Sequence, residues 1–277
     1  MAKTERVNAV KIVTTVNEKG GSGRTTVATH IAAGLAARGQ RVLLIDGDAQ
    51  AHATIRCRIA KQPGLYDLLV RDANWENVCV EVPPEQYGIP GEVLPRGHLW
   101  VLPSNVETRN IANSIADSDR LTLRLDEHRD TFDVVIIDTS PTPSLLHGVF
   151  YTATDALLFV SQMAFTYFDG LKESIKRRQE ANVTRQKRWG LPEIETLGIV
   201  PTVYRGNTVE QAANYELLRE QYGELVWRPI PQRTRWTESE GEAVPVWNLD
   251  PNCDAAMDAW NLVNKFEEVT YVRTPIS

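Results

Sequence analysis

Residues 18–26 read Glu-Lys-Gly-Gly-Ser-Gly-Arg-Thr-Thr. Gly20, Gly21 and Gly23 permit a backbone with φ > 0, which can bring successive N–H groups together around an anion. Lys19 and Arg24 add two cations. Thr25, the first position after the loop, puts a hydroxyl where a Mg²⁺ bound to the same anion would take a protein oxygen. Two acidic segments extend the set, Asp46-Gly47-Asp48-Ala49-Gln50 and Asp138-Thr139-Ser140-Pro141. An aspartate that comes after four apolar residues, as Asp138 comes after 134–137, is presented as a metal-holding acid is, usually through a water. The combined chemistry is that of a phosphate with a divalent cation. Each piece alone has a plainer reading: a glycine turn between strand and helix, or an aspartate in a helix cap or turn. Their order along one chain joins them.

Such a loop works only between a strand and a helix, because the helix N-terminus supplies unpaired N–H groups and the positive end of its dipole. Residues 10–16 form an apolar run, and 25–38 are helix-like, with Val27, Ile31 and Leu35 recurring every four residues as one apolar stripe. Further strands are expected at 41–46, 99–102, 132–138, 155–161, 197–202 and 225–230, alternating with helical stretches. That alternation predicts an α/β, doubly wound, mostly parallel sheet with helices on both faces, whose ligands bind beyond the carboxyl ends of the strands. Both acidic segments fall at such ends. The Pro- and Gly-rich residues 83–103 read as a loop or hairpin insertion, 1–8 as a flexible N-terminus, 269–277 as a tail, and 1–277 as a single domain. A closing helix at about 253–268 carries Met257, Trp260, Val263 and Phe266 at spacings of three, with an acidic outer face.

The 277 residues are 42% hydrophobic and 24% charged, ordinary for a globular protein and unlike a disordered one. No apolar run reaches the ~18 residues of a membrane span, and residues 1–8 lack a signal-peptide core, so the cytoplasm is the expected compartment. Cys57, Cys79 and Cys253 lie far apart and form neither a C-x-x-C motif nor an even disulfide framework. The net charge of −6 argues against a surface that coats nucleic acid everywhere, but not against one basic face. Between residues 170 and 190, Lys172, Lys176, Arg177, Arg178, Arg185, Lys187 and Arg188 stand against Glu173 and Glu180; seven cations less two carboxylates leave +5. This stretch reads either as a solvated helix face or as a surface for nucleic-acid phosphates without sequence readout.

The strict nucleotide-loop pattern G-x-x-x-x-G-K-[ST] fails at Glu18 and Arg24. The stretch instead resembles the deviant Walker A loop K-G-G-x-G-K-[ST] of the ParA/MinD group of P-loop NTPases, with Lys19 matching that group's signature lysine. The segment from Asp46 to Gln50 resembles its D-x-D-P-Q switch, with Ala49 for Pro. Residues 132–141 resemble its F/Y-D-x-x-x-x-D-x-x-P segment, and 198–204 with 231–245 resemble the two segments flanking adenine. Over about residues 11–266 the chain therefore resembles a ParA-type partition ATPase of the short form, without an N-terminal DNA-reading domain.

The resemblance implies ATP and Mg²⁺ as cofactors, slow hydrolysis, an ATP-sandwich homodimer, nonspecific binding to double-stranded DNA, and release when a ParB-like or other adaptor triggers hydrolysis. It implies a cytoplasmic protein, on the nucleoid while ATP-bound. The basic membrane helix of the MinD kind has no match in the acidic C-terminal helix. By the same resemblance Gly20, Gly21, Ser22, Gly23, Arg24, Thr25 and Thr26 hold the nucleotide's phosphates, and Lys19 reaches the partner's. Thr25 and Asp138 hold Mg²⁺, Asp48 orients the attacking water, and Thr202 and Pro231 lie near the base. Arg205, Arg219, Arg235 and Arg273 join the seven cations as DNA candidates. Arg24 departs from the family lysine and leaves three outcomes open: a working ATPase with altered geometry, an ATP binder that barely turns over, or a preference for ADP or no nucleotide. Retained binding is the expectation, and the alternative function is a nucleotide-sensing scaffold. An iron–sulfur relative on this fold is disfavoured, since no two cysteines stand near the switch segments.

Overall fold

Val42, Leu43, Leu44 and Ile45 are fully buried, and so are Val134 to Ile137 in sequence order, as strands covered on both faces must be. Alternate residues serve opposite faces: Val42, Leu44, Val134 and Ile136 join one core, while Leu43, Ile45, Val135 and Ile137 join another. In this computed structural model the described residues run from 11 to 270, the side chains of 165 and 166 excepted. The strands are β1 Lys11–Val16, β2 Arg41–Gly47, β3 Val80–Val82, β4 His98–Leu102, β5 Val134–Thr139, β6 Ala156–Gln162 and β7 Glu195–Thr202. They form one doubly wound sheet in the order β3-β4-β2-β5-β1-β6-β7, parallel except for the antiparallel β3–β4 pair. In register, Asp138 stands beside Thr15 on one side and Asp46 on the other, so β1, β2 and β5 end level.

The loop helix, Arg24–Ala37, is buried almost all round rather than along one stripe. Its outer face is covered by the C-terminal helix, Asp254–Thr270, so closely that a Cβ on Gly34 would lie 2.5 Å from Val263. In that covering helix Met257 is 54% exposed, and the buried face is formed by Ala255, Ala259, Leu262 and Phe266 with Ala256 and Val263. A strict three-residue spacing drifts around a helix of 3.6 residues per turn, which corrects the expected Met257 stripe.

Residues 225–230 are not a strand. They run beside β7 with Trp227 N–H donating to Ile199 O at 2.9 Å and Ile230 N–H to Pro201 O at 2.8 Å. Only the isolated bridges Ile199–Val226 and Tyr204–Pro231 form there, because Pro229 and Pro231 have no N–H to continue a ladder. Between residues 83 and 103 the chain makes a 3-10 turn, Pro84–Gln86, and returns as β4 to pair with β3. Tyr87 pins this connection by donating its hydroxyl to Gly97 O at 2.8 Å. The N-terminal segment 1–8, Val10 at the expected start of the first strand, Arg273 and the tail beyond Thr270 lie outside the described residues.

Candidate functional site

The glycine loop joins β1 to the loop helix with φ of 75° at Gly21 and 88° at Gly23, values that disfavour any side chain with a Cβ. Gly20 is not in that region. Five consecutive carbonyls, 19 to 23, accept hydrogen bonds from the protein: Arg24 donates to Lys19 O, the Tyr167 hydroxyl to Gly20 O, Gln162 Nε2 to Gly21 O, Thr202 Oγ1 to Ser22 O and Val27 N–H to Gly23 O. With the carbonyls held back, the N–H sides of these peptides are left for a ligand. The loop helix has neither a side-chain cap nor an acidic residue in its first turn, so its N-terminal N–H groups add to the same anion site.

Arg24 does not extend toward that site as a point charge. Its Nε donates to Thr139 O at 3.1 Å, and one terminal nitrogen serves Asn17 O, Lys19 O and Ser22 Oγ. The side chain is buried, and burial lowers its pKa while Asp138 and Asp48 push it back up. The forked guanidinium thus ties the underside of the loop to β5, a geometry a lysine ammonium could not reproduce. Lys19 is exposed and stands outside the cleft of its own chain. Its Cγ would lie 2.9 Å from a Cβ on Gly170, so the helix Phe165–Trp189 presses directly on the loop.

The carboxylates gather where the strands end. Thr25 Oγ1 donates to Asp138 Oδ2 at 2.7 Å, and Asp138 is fully buried. Burial raises the Asp138 pKa, opposed by Arg24 and Thr25. Asp46, also fully buried, accepts from Asp48 N–H at 3.1 Å and from Thr54 N–H and Oγ1–H at 2.7 Å each. Desolvation, and then the Asp138 charge, raise its pKa to about 7. Asp46 thereby fixes the turn that presents Asp48, whose own carboxylate accepts from Gln50 N–H at 2.9 Å. Among the described residues no group of three His, Cys, Asp or Glu could hold a metal by itself. Thr25 Oγ1 and the Asp138 carboxylate are two neighbouring oxygen donors that could hold a Mg²⁺ arriving with phosphate oxygens and several waters. His147 braces the next segment: Ser144 N–H donates to Nδ1 at 3.2 Å, and Nε2–H donates to Ser140 O at 3.2 Å. Burial lowers its pKa to about 4.

These parts open on a cleft of about 860 Å³. Residues 20–27 and Asp48 line it on the side of the glycine loop, with Thr202 beside them through its bond to Ser22 O, and Pro231, Trp236 and Thr237 line a second wall. The structure thus brings Gly20, Gly21, Ser22, Gly23, Arg24, Thr25, Thr26, Asp48, Thr202 and Pro231 around one space, with Asp138 buried behind Thr25.

The basic helix disperses its charges. Arg185 is only 4% exposed and donates to Tyr151 O and Thr154 O, which removes it from any nucleic-acid face: desolvation and two carbonyls occupy it within the core. Arg178 donates to Thr196 Oγ1 at 2.7 Å and to Ile194 O, Arg177 pairs with Glu18, and Arg188 pairs with Asp117 at 2.7 Å. Lys172, Lys176 and Lys187 are exposed. Of the other candidates, Arg235 pairs with Glu238 at 2.7 Å, Arg205 donates to Gln232, and Arg219 lies 3.8 Å from Glu216.

Sequence reasoning missed Asn17, Gln162, Tyr167, Arg56 and His147. Asn17 and Gln162 stand at the carboxyl ends of parallel strands, Asn17 just past β1 and Gln162 as the last residue of β6, and that position is the signal by which both could have been found. Tyr167 and His147 carry no such signal.

Among the described residues no helix is long and apolar enough to cross a membrane. A family model described as AAA domain matches residues 10–188. The chain is similar to the chromosome partitioning protein ParA of Caulobacter vibrioides, 28% identical over 258 residues, covering 89% of this chain and 90% of that protein. Its fold is similar to that of a Cyanothece McdA variant in complex with ATP, with a TM-score of 0.78 at 17% identity over 97% of this chain and 99% of that one. The septum site-determining protein MinD of Pyrococcus horikoshii, complexed with Mg-ADP, gives a TM-score of 0.73 at 18% identity over 96% of this chain and 100% of that one.

Proposed function

The chain belongs to the AAA domain family and, within it, to the ParA type of partition ATPases, and from that premise we propose that it is an ATP-dependent positioning protein. Two copies close over ATP, the closed dimer binds DNA without regard to sequence, and a ParB-like or other adaptor stimulates hydrolysis and release. The observation that carries this reading is the run of five loop carbonyls bonded to the protein, which leaves the opposing amides for a polyphosphate.

Thr25 and Asp138 hold Mg²⁺, which when bound neutralises charge on the phosphates. Asp48 orients the water, and its turn is held rigid by Asp46. Lys19, exposed on its own chain, serves the phosphates of the partner copy. The test is light scattering with ATP and Mg²⁺: the wild type dimerises and Lys19→Ala stays monomeric while still binding nucleotide. ATP-dependent dimerisation of Lys19→Ala equal to the wild type would sink the sandwich.

One observation favours a second reading, a nucleotide-sensing scaffold with little turnover. Arg24 spends donors on three backbone carbonyls and on Ser22 Oγ, so less of its charge is offered to a transferring phosphoryl group. Turnover by the wild type and by Arg24→Lys, with DNA and adaptor present, separates the two. A wild type that hydrolyses ATP on stimulation supports the positioning ATPase, and a silent wild type that binds ATP supports the scaffold.

A further inference from the structure

Arg56 ends the short helix His52–Arg56 just past the Asp46 turn, and its side chain is 14% exposed inside the cleft. One terminal nitrogen donates to Thr26 Oγ1 at 2.7 Å, in the first turn of the loop helix. The other pairs with Glu240 on the helix Thr234–Glu242, which also carries Trp236 and Thr237. Arg56 therefore spans from the phosphate end of the cleft to its far wall. Its charge is felt at Asp138, where it opposes the upward push of burial.

The other cations of the cleft are placed differently. Arg24 is committed to oxygens under the loop, and Arg233 is tied to Asp254 and Asp258 at 2.8 Å each. Arg109 also lines the cleft but is exposed. Arg56 is held by a neutral hydroxyl and by Glu240, which is itself 57% exposed and so screened by solvent. A phosphate oxygen is a better partner for a guanidinium than a solvated carboxylate, since it can accept two parallel N–H bonds in a less hydrated place. Thr26 supports the exchange, because a hydroxyl that accepts from Arg56 keeps its own proton to donate toward the same ligand.

We propose that Arg56 is a nucleotide-binding cation of this chain, directed at the phosphate nearest the sugar, and that Glu240 releases it when that phosphate arrives. The inference rests on the nucleotide reading of the cleft and assigns the end of the polyphosphate away from the metal pair. By that reading Thr25 and Asp138 mark the distal phosphates, and Pro231, whose carbonyl accepts from Trp236 Nε1–H, marks the base. Thr26 and Arg56 lie where the sugar-proximal phosphate joins the two.

The experiment is a calorimetric titration of the full chain with ADP, AMP and adenosine. For Arg56→Gln the affinities for ADP and AMP fall about tenfold, as expected for one lost charge-assisted contact, while adenosine binding is unchanged. Arg56→Lys, which keeps the charge without the fork, lies between. Glu240→Gln, at a largely exposed position, tightens ADP and AMP severalfold. If Arg56→Gln weakens adenosine as much as AMP, or leaves all three ligands unaffected, the side chain is only a wall of the cleft and the proposal falls. Weaker ADP binding in Glu240→Gln would overturn the exchange. A wild type that binds none of the three would instead bring down the nucleotide reading itself.

Discussion

The glycine loop and the basic helix touch, yet they treat their polar residues in opposite ways. At the loop, residues at or just past the carboxyl ends of β1, β2, β5 and β7 converge on one cleft, although more than a hundred residues separate Thr25 from Asp138. Along the helix, seven neighbouring cations scatter: Arg185 into the core, Arg178 onto the strand beside it, Arg177 to Glu18, Arg188 to Asp117 in an exposed pair, and the three lysines to open solvent. The loop residues are placed by backbone geometry, through positive φ and level strand ends, and residue type and spacing set that geometry. Whether a surface cation is free depends instead on which carbonyl or carboxylate lies opposite, and local sequence does not display that.

If this contrast is right, the largest effect should come from a single loop-side carboxylate. Asp48→Ala is expected to lower stimulated ATP turnover by at least about 100-fold, the scale of one positioned acid–base group, with ADP affinity unchanged in a titration. Turnover at the wild-type rate would remove Asp48 from the chemistry. On the helix, Lys172, Lys176 and Lys187 changed together to Ala should weaken binding to any duplex alike. Because each lost phosphate contact removes about 0.9 from the slope of log K against log salt, the slope should flatten by up to about 3. An unaltered slope would return the helix to a solvated surface.

A sharper test of the same contrast uses the buried arginine. Arg185→Ala should leave that salt slope alone and cost about 2–3 kcal/mol of stability, because two carbonyls lose a charged donor, read as a lowered denaturation midpoint. A flattened slope with full stability would place Arg185 on the DNA face after all.

The smallest expected effect is on pH dependence. His147 is neutral in the fold, with its pKa lowered to about 4 by burial, while an unfolded histidine titrates near 6.5. Between those values the unfolded chain binds more protons, so the histidine's contribution to stability is present above about 6.5 and is lost as pH falls toward 4. His147→Gln should remove that part of the acid sensitivity, measured as the shift of the urea midpoint between pH 7 and pH 5. An identical shift in the variant would show that other groups carry it.

Most of the fold was legible because parallel strands covered on both faces read as continuous apolar runs, and β2, β5 and β6 are such runs. β3 was not legible: Val80–Val82 is three residues long and gains its identity only from pairing with β4. The segment 225–230 read as a strand because its composition is apolar, but two prolines deny it a ladder. At the site, motif and position pointed to Thr25, Asp48 and Asp138, and the structure places the first two on one cleft with Asp138 behind Thr25. The role of Arg24 was not, because residue type gave its charge and length but not the three carbonyls that surround it. Arg56 sits outside every motif and becomes visible only when the cleft is assembled around it.

The central claim is that the amides of residues 20–26, freed by the carbonyls behind them, bind the phosphates of a nucleotide. Hydrogen–deuterium exchange of the peptide covering residues 18–26, with and without Mg²⁺ and ATP, tests it most directly. Strong protection of this peptide on adding ATP, absent with adenosine, is the predicted result, and exchange in that peptide unchanged by saturating ATP would contradict the account.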